Sequence, residues 1–250
     1  MTVAARGTGA SGRDRVRSVE LLGLQGAGKS TLVDLVGPRP GNITISELVR
    51  RERLRRRPLL RHRVAMNLMP TALKLRTLTG PVPDAKDAAS FALANPLHLA
   101  SVMRASQHIP DEANRELAVM LLFESWAEYG FAARIARPGE TVLFDEAVLQ
   151  RLAFLMALLP PGTTQSQKLL EAVPLPDAVV LLDLPLELAI ARVEARAREF
   201  QMVEVMAAMA ERIDELVAML EHRNVTTLVV DAIRPASSSL TEIVDFLART

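Results

Sequence analysis

Gly23-Leu24-Gln25-Gly26-Ala27-Gly28-Lys29-Ser30-Thr31 carries glycine, glycine, lysine and a hydroxyl residue at the spacing G-x-x-x-x-G-K-[ST]. Before it, Val19-Glu20-Leu21-Leu22 reads as a short buried strand, and after it Ser30 to Val36 reads as a helix. Glycines let backbone N–H groups turn inward, and the helix N-terminus adds its partial positive charge. The loop is therefore a cradle for phosphate oxygens. On this pattern Gly23, Gln25, Gly26, Ala27, Gly28, Lys29, Ser30 and Thr31 surround the phosphates. Lys29 reaches the β- and γ-phosphates, and the Ser30 hydroxyl sits on Mg²⁺. The plainer reading is a glycine-containing turn that happens to carry a lysine. Four fixed positions in a strand–loop–helix setting weigh against it, so the chain is expected to bind ATP with Mg²⁺.

The 250 residues are 49% hydrophobic, enough for one α/β domain with a full core, and nothing in the chain divides it. The formal charge is +1, so no global field points to nucleic acid or an anionic membrane. There is no cysteine, which excludes disulfides, thiolate metal sites and thiol catalysis. His62, His98, His108 and His222 show no metal-type spacing. No run is long enough to span a membrane and the first residues lack a signal-peptide core, so a cytoplasmic protein is expected.

Residues 1–17 are rich in glycine, serine and arginine without a period and read as a mobile tail, leaving 18–250 as the domain. Asn42-Ile43-Thr44-Ile45 is a second short strand. The basic run Arg50 to Arg57 follows, either a solvated helix or an arginine wall facing an anion. Val64 to Arg134 is helical in pattern, broken at prolines. Its last segment, from Asp111, is apolar on more than one side, which suits a buried core helix or a homodimer packed through it. Trp126 and Tyr129 in it are better explained by core packing than by base stacking. Three further strands are Thr141 to Glu146, Asp177 to Asp183 and Val225 to Val230. Ser239-Leu240-Thr241-Glu242 has the form of a capping box for the last helix. Apolar strands alternating with helices mean an α/β fold, a parallel sheet covered on both faces in three layers.

In such a sheet the ligand sits at the C-terminal strand ends. Asp145 lies at one, where a carboxylate would help hold Mg²⁺ with Ser30, and Glu146 beside it is an alternative or serves the nucleophile. Glu47, after the second strand, either accepts a proton from an acceptor hydroxyl or caps the next helix through Thr44-Ile45-Ser46-Glu47. Arg192 and Arg196 share a helix face, with Arg198 close by. At least one of the three is expected to act as a lid cation, a role worth about 10³–10⁵ in rate.

The order P-loop, acidic strand end, Pro176 to Ala189 and arginine helix resembles thymidylate kinases, and is similar to deoxynucleoside kinases of the same fold. Val229-Val230-Asp231-Ala232 resembles the adenine-side loop of the former. The resemblance covers the P-loop region and residues 141–250. It implies a P-loop NTPase fold with a five-stranded parallel sheet, a helical lid over about 185–205, and transfer of the ATP γ-phosphoryl group. It also raises Glu47 as the base. Two groups that hold the acceptor in those families are missing: an arginine after the acidic residue, where Asp145-Glu146-Ala147 stands, and an acidic-proline-glycine signature on the second strand. Arg151, a turn beyond Ala147, is a candidate replacement. The expected activity is an ATP- and Mg²⁺-dependent kinase acting on a small-molecule acceptor, a nucleoside, a nucleotide or another compound. An ATP-binding regulatory protein or slow ATPase is the alternative.

Overall fold

The computed structural model describes residues 15–37, 39–55, 83–195 and 203–249. Strands β1 (Arg17–Leu22), β2 (Asn42–Thr44), β3 (Thr141–Phe144), β4 (Ala178–Asp183) and β5 (Thr226–Asp231) form one sheet in the order β2-β3-β1-β4-β5. Every pairing is parallel. The strand begins at Arg17, inside the stretch expected to be tail, because Arg17 pairs with Thr141.

β1 lies at the centre, and its side chains face two helical layers. On one face Val19 and Leu21 meet α1 (Lys29–Val36) and the closing helix α10 (Leu240–Arg249) through Leu32, Val36, Ile243 and Leu247. The opposite face carries α5 (Glu112–Ile135), α6 (Val148–Ala157) and α9 (Val203–His222), with α6 packed against both of the others. Burial of the apolar strands on both faces is what a parallel sheet requires. The remaining helices are α2 (Ile45–Arg55), α3 (Ala85–Ala94), α4 (Pro96–Ser106), α7 (Gln165–Ala172) and α8 (Leu186–Ala195).

Helix α5 is held deep in the molecule. Trp126 is fully buried, and Gly130 lets the Asp87 backbone of α3 come so close that an added Cβ would stand 2.0 Å from its carbonyl oxygen. Arg134 donates to both oxygens of Asp87 at 2.8 Å. Core packing thus accounts for the lone tryptophan. Tyr129 stacks on Phe144 of β3 with centroids 4.2 Å apart.

Two local expectations change. Ser239 ends a 3₁₀ turn, Ala236–Ser239, that runs directly into α10, so its backbone is already helical and the expected capping box is replaced by a continuous turn. The second strand stops at Thr44, one residue early, because the Thr44–Glu47 capping box starts α2 at Ile45.

Candidate active site

The phosphate loop leaves the C-terminal end of β1, so α1 points its N-terminus at the crevice above the sheet. Gly26 and Gly28 have φ of +89° and +93°, a left-handed backbone that glycine adopts without strain. Gly26 has a second reason to be glycine, since a Cβ there would meet the Ala189 carbonyl of α8 at 3.0 Å. A pocket of about 90 Å³ opens over the loop, lined by Gln25, Gly26, Gly28, Lys29, Ser30, Thr31, Glu146 and Val193. Ala27 faces a neighbouring cavity of about 360 Å³ that also touches Arg192 and residues 230–236, from the end of β5 into the turn that follows.

Lys29 is 5% exposed, and its ammonium donates to the carbonyls of Gly23 at 2.8 Å and Leu24 at 3.1 Å. Burial lowers its pKa, while Glu146 and then Asp145 pull the other way. The Ser30 hydroxyl donates to Asp145 at 3.3 Å, just past the end of β3. This hydroxyl–carboxylate pair is a hard-oxygen donor set that fits Mg²⁺. Among the described residues no three His, Asp or Glu side chains converge on a metal position, so coordination there would draw on phosphate oxygens and water.

Beside the phosphate pocket lies a cavity of about 290 Å³. Its walls are Leu117 and Leu121 of α5, Phe154 of α6, and Val205, Met206 and Met209 of α9; its polar lining is Gln25, Lys29, Glu146, Gln150 and Arg151. Glu146 stands at the junction of the two, 4.0 Å from the Lys29 ammonium and 3.0 Å from the Arg151 guanidinium. Gln150 is buried, and its side-chain oxygen accepts from the Gly23 N–H at 3.2 Å, tying the start of α6 to the loop. Glu128, half-buried on α5, has its pKa pushed up to about 7, first by burial and next by Asp145.

The structure thus brings Lys29, Ser30, Asp145 and Glu146 together. Glu47 stands in its capping box: its carboxylate accepts from Thr44 N–H at 3.3 Å while its own N–H donates to the Thr44 hydroxyl at 3.1 Å. It lines none of these three pockets. Arg192 donates to the carbonyls of Gly26 at 3.3 Å and Ala232 at 3.0 Å, joining the phosphate loop to the turn after β5. Arg196 and Arg198 lie outside the described residues, as does the basic stretch beyond Arg55. In the described part of the basic run, Arg51 pairs with Glu140 and Arg55 with Glu52, so neither arginine is an open cation.

Gln150, Glu128 and the apolar walls escape sequence reading, because only the packing of α5, α6 and α9 joins them. Glu20 did carry a signal: a carboxyl inside an apolar strand covered on both faces needs internal partners. It has them, accepting from Tyr129 at 2.6 Å and from the Leu149 N–H at 2.9 Å.

A phosphate loop after the central strand of a β2-β3-β1-β4-β5 parallel sheet, flanked by helices on both faces, defines a P-loop α/β fold. Solved deoxyadenosine kinase structures have a similar fold. The structure is similar to that of deoxyadenosine kinase from M. mycoides with the products dCMP and a flexible dCDP bound, at TM-score 0.55 and 14% identity over 94% of this chain and 100% of that one. Structures of the same enzyme with dATP and with dCTP give TM-scores of 0.54 and 0.51 at 14% identity, each over 93% of this chain and 99% and 100% of theirs. Identity this low establishes a shared fold. No protein-family model and no curated protein matches the sequence. No described helix is long and apolar enough to cross a membrane.

Proposed function

We propose that the chain is a phosphotransferase that passes the γ-phosphoryl group of ATP to a small molecule seated in the cavity between α5, α6 and α9. The observation that carries this reading is that the phosphate pocket and the cavity share Gln25, Lys29 and Glu146. A phosphate on the loop and a hydroxyl in the cavity would meet at that border, and proximity of this kind is the main requirement of phosphoryl transfer. The kinase fold of the solved neighbours supports the same class.

In this reading the loop amides and Lys29 hold the phosphates. Ser30 and Asp145 would hold Mg²⁺, which supplies charge neutralisation on the phosphate oxygens. Glu146 receives the proton of the attacking hydroxyl, because it borders both spaces whereas Glu47 is engaged in its capping box. Arg192 keeps the turn after β5 against the loop and so shapes the donor side. A lid cation, if one closes the site, falls to Arg196 or its neighbours.

The test is a screen of nucleosides, monophosphates and other small alcohols with labelled ATP, in the native chain and in Lys29→Ala. Transfer to an acceptor that disappears in the variant is expected; undiminished turnover in Lys29→Ala overturns the proposal. Tight ATP binding with transfer to nothing favours the regulatory alternative.

A further inference from the structure

Glu20 is a carboxyl in the middle of the central strand, fully buried, where an apolar side chain would fill the same space without loss of hydration. It borders neither the phosphate pocket nor the cavity beside it. Its two oxygens have different partners. One accepts from the Tyr129 hydroxyl at 2.6 Å, the other from the Leu149 N–H at 2.9 Å.

Leu149 is the second residue of α6, and its N–H is one of those at a helix start that no carbonyl of the helix reaches. Such an N–H is ordinarily held by the side chain of the residue just before the helix. Here that residue is Ala147, which makes no side-chain cap, although its carbonyl accepts from the Arg151 N–H at 2.9 Å. Glu20 therefore caps α6 from another element, and a carboxyl suits a helix N-terminus. Its second partner steadies it there. Tyr129 stacks on Phe144, which stands opposite Glu20 in the β1–β3 ladder and precedes Asp145.

The cap fixes the first of three consecutive residues, and the next two reach the site. Gln150 accepts from the Gly23 N–H at 3.2 Å, and the Gly23 carbonyl accepts from the Lys29 ammonium at 2.8 Å. Arg151 holds Glu146 at 3.0 Å, and Glu146 lies 4.0 Å from the same ammonium. Two routes thus leave the first turn of α6, one through the phosphate loop and one through a carboxylate, and both end on Lys29.

Resting on the phosphotransferase reading, we infer that Glu20 is a positioning residue: by capping α6 from the central strand, it holds the phosphate loop through Gln150, and Glu146 through Arg151, in the arrangement that transfer needs. The effect is one of preorganisation. A loop that is binding-competent for only part of the time binds its ligand in proportion to that fraction.

The test separates positioning from support of the fold by reading ligand affinity in folded protein. Binding of a non-hydrolysable ATP analogue with Mg²⁺ is measured by calorimetry, and urea unfolding verifies that each variant is folded. Glu20→Leu is made together with Tyr129→Phe, so that no hydroxyl is left unpaired, and Tyr129→Phe alone is the control. The pair binds the analogue more than about tenfold weaker than the control, and Gln150→Leu weakens binding by a similar factor. Combining all three substitutions adds no more than about threefold to the larger effect, because both act through the same turn. Glu20→Gln keeps an oxygen for the Leu149 N–H and recovers affinity to within about threefold of native. Unchanged affinity in the pair or in Gln150→Leu, effects that multiply in the combination, or a loss in Glu20→Gln as large as that of the pair overturns the inference. Should the pair fail to fold, the Gln150→Leu and Glu20→Gln arms still decide it. In the labelled-ATP assay at saturating ATP, kcat of the pair falls more than about tenfold, as Glu146 loses its fixed partner. An unchanged kcat also overturns it. Failure of the phosphotransferase reading would appear separately, as absence of transfer in the native chain, and the binding cycle does not depend on it.

Discussion

The Tyr129 hydroxyl donates a 2.6 Å hydrogen bond to Glu20, a fully buried carboxyl on the central strand. The other Glu20 oxygen accepts from Leu149 in the first turn of α6, the helix that follows Asp145 and Glu146. One buried side chain therefore ties the middle of the sheet to the helix at the candidate site.

Burial is the largest influence on Glu20 and pushes its pKa from 4.5 up to about 7. Between those values the folded state binds more protons than the unfolded one, so this group's contribution to stability falls as pH rises through the window. His98, whose pKa burial lowers to about 4, works in the opposite direction between about 4 and 6.5. The contribution of Glu20 is therefore read as a difference. Against Glu20→Gln, native stability falls by about 3 kcal/mol from pH 4.5 to 7, in denaturant unfolding at matched pH. Parallel pH profiles for the two proteins would refute it.

Arg192 joins the phosphate loop to the turn after β5 through main-chain carbonyls. Removing a charged donor from two such contacts frees the turn. Arg192→Ala is expected to raise the KM for ATP by about tenfold or more, with a smaller effect on acceptor KM. An effect on kcat alone, at unchanged KM for ATP, would instead place this guanidinium at the transferring group.

Asp145 is the carboxylate within reach of the Ser30 hydroxyl. Asp145→Asn keeps the shape and removes the charge. The Mg²⁺ concentration for half-maximal transfer should rise by about tenfold or more. A magnesium titration of turnover checks this, and an unchanged midpoint argues that another group holds the ion.

Gly130 faces the Asp87 carbonyl with no room for a methyl group. Gly130→Ala must push α3 off α5 and strain the Asp87–Arg134 pair. Destabilisation of about 3 kcal/mol is expected from overpacking of this kind. Urea unfolding would show it, and a stability within error of native would mean that α5 bends there freely.

Legibility follows the range of the interaction. The strand, loop and helix around Lys29 are local, so spacing revealed them, and Thr44-Ile45-Ser46-Glu47 announced a capping box that forms. The strand end at Asp145 was legible for the same reason. Glu146 was named only as an alternative, since nothing local shows that it borders both the phosphate pocket and the cavity. Arg192 was one of three arginines offered as lid cations from helical spacing; its guanidinium bonds carbonyls contributed by residues 26 and 232, far apart in the chain.

By itself the sequence determined the phosphate loop, the parallel sheet and the alternation of helices, because turn chemistry and apolar periodicity act within a few residues. Only the tertiary structure decided which residues surround the candidate acceptor. Leu121, Phe154 and Met206 come from three helices, and they share one cavity because those helices bury their apolar faces against the same side of the sheet. The pairing of Arg151 with Glu146, which cancels charge at the border of that cavity, arises there as well.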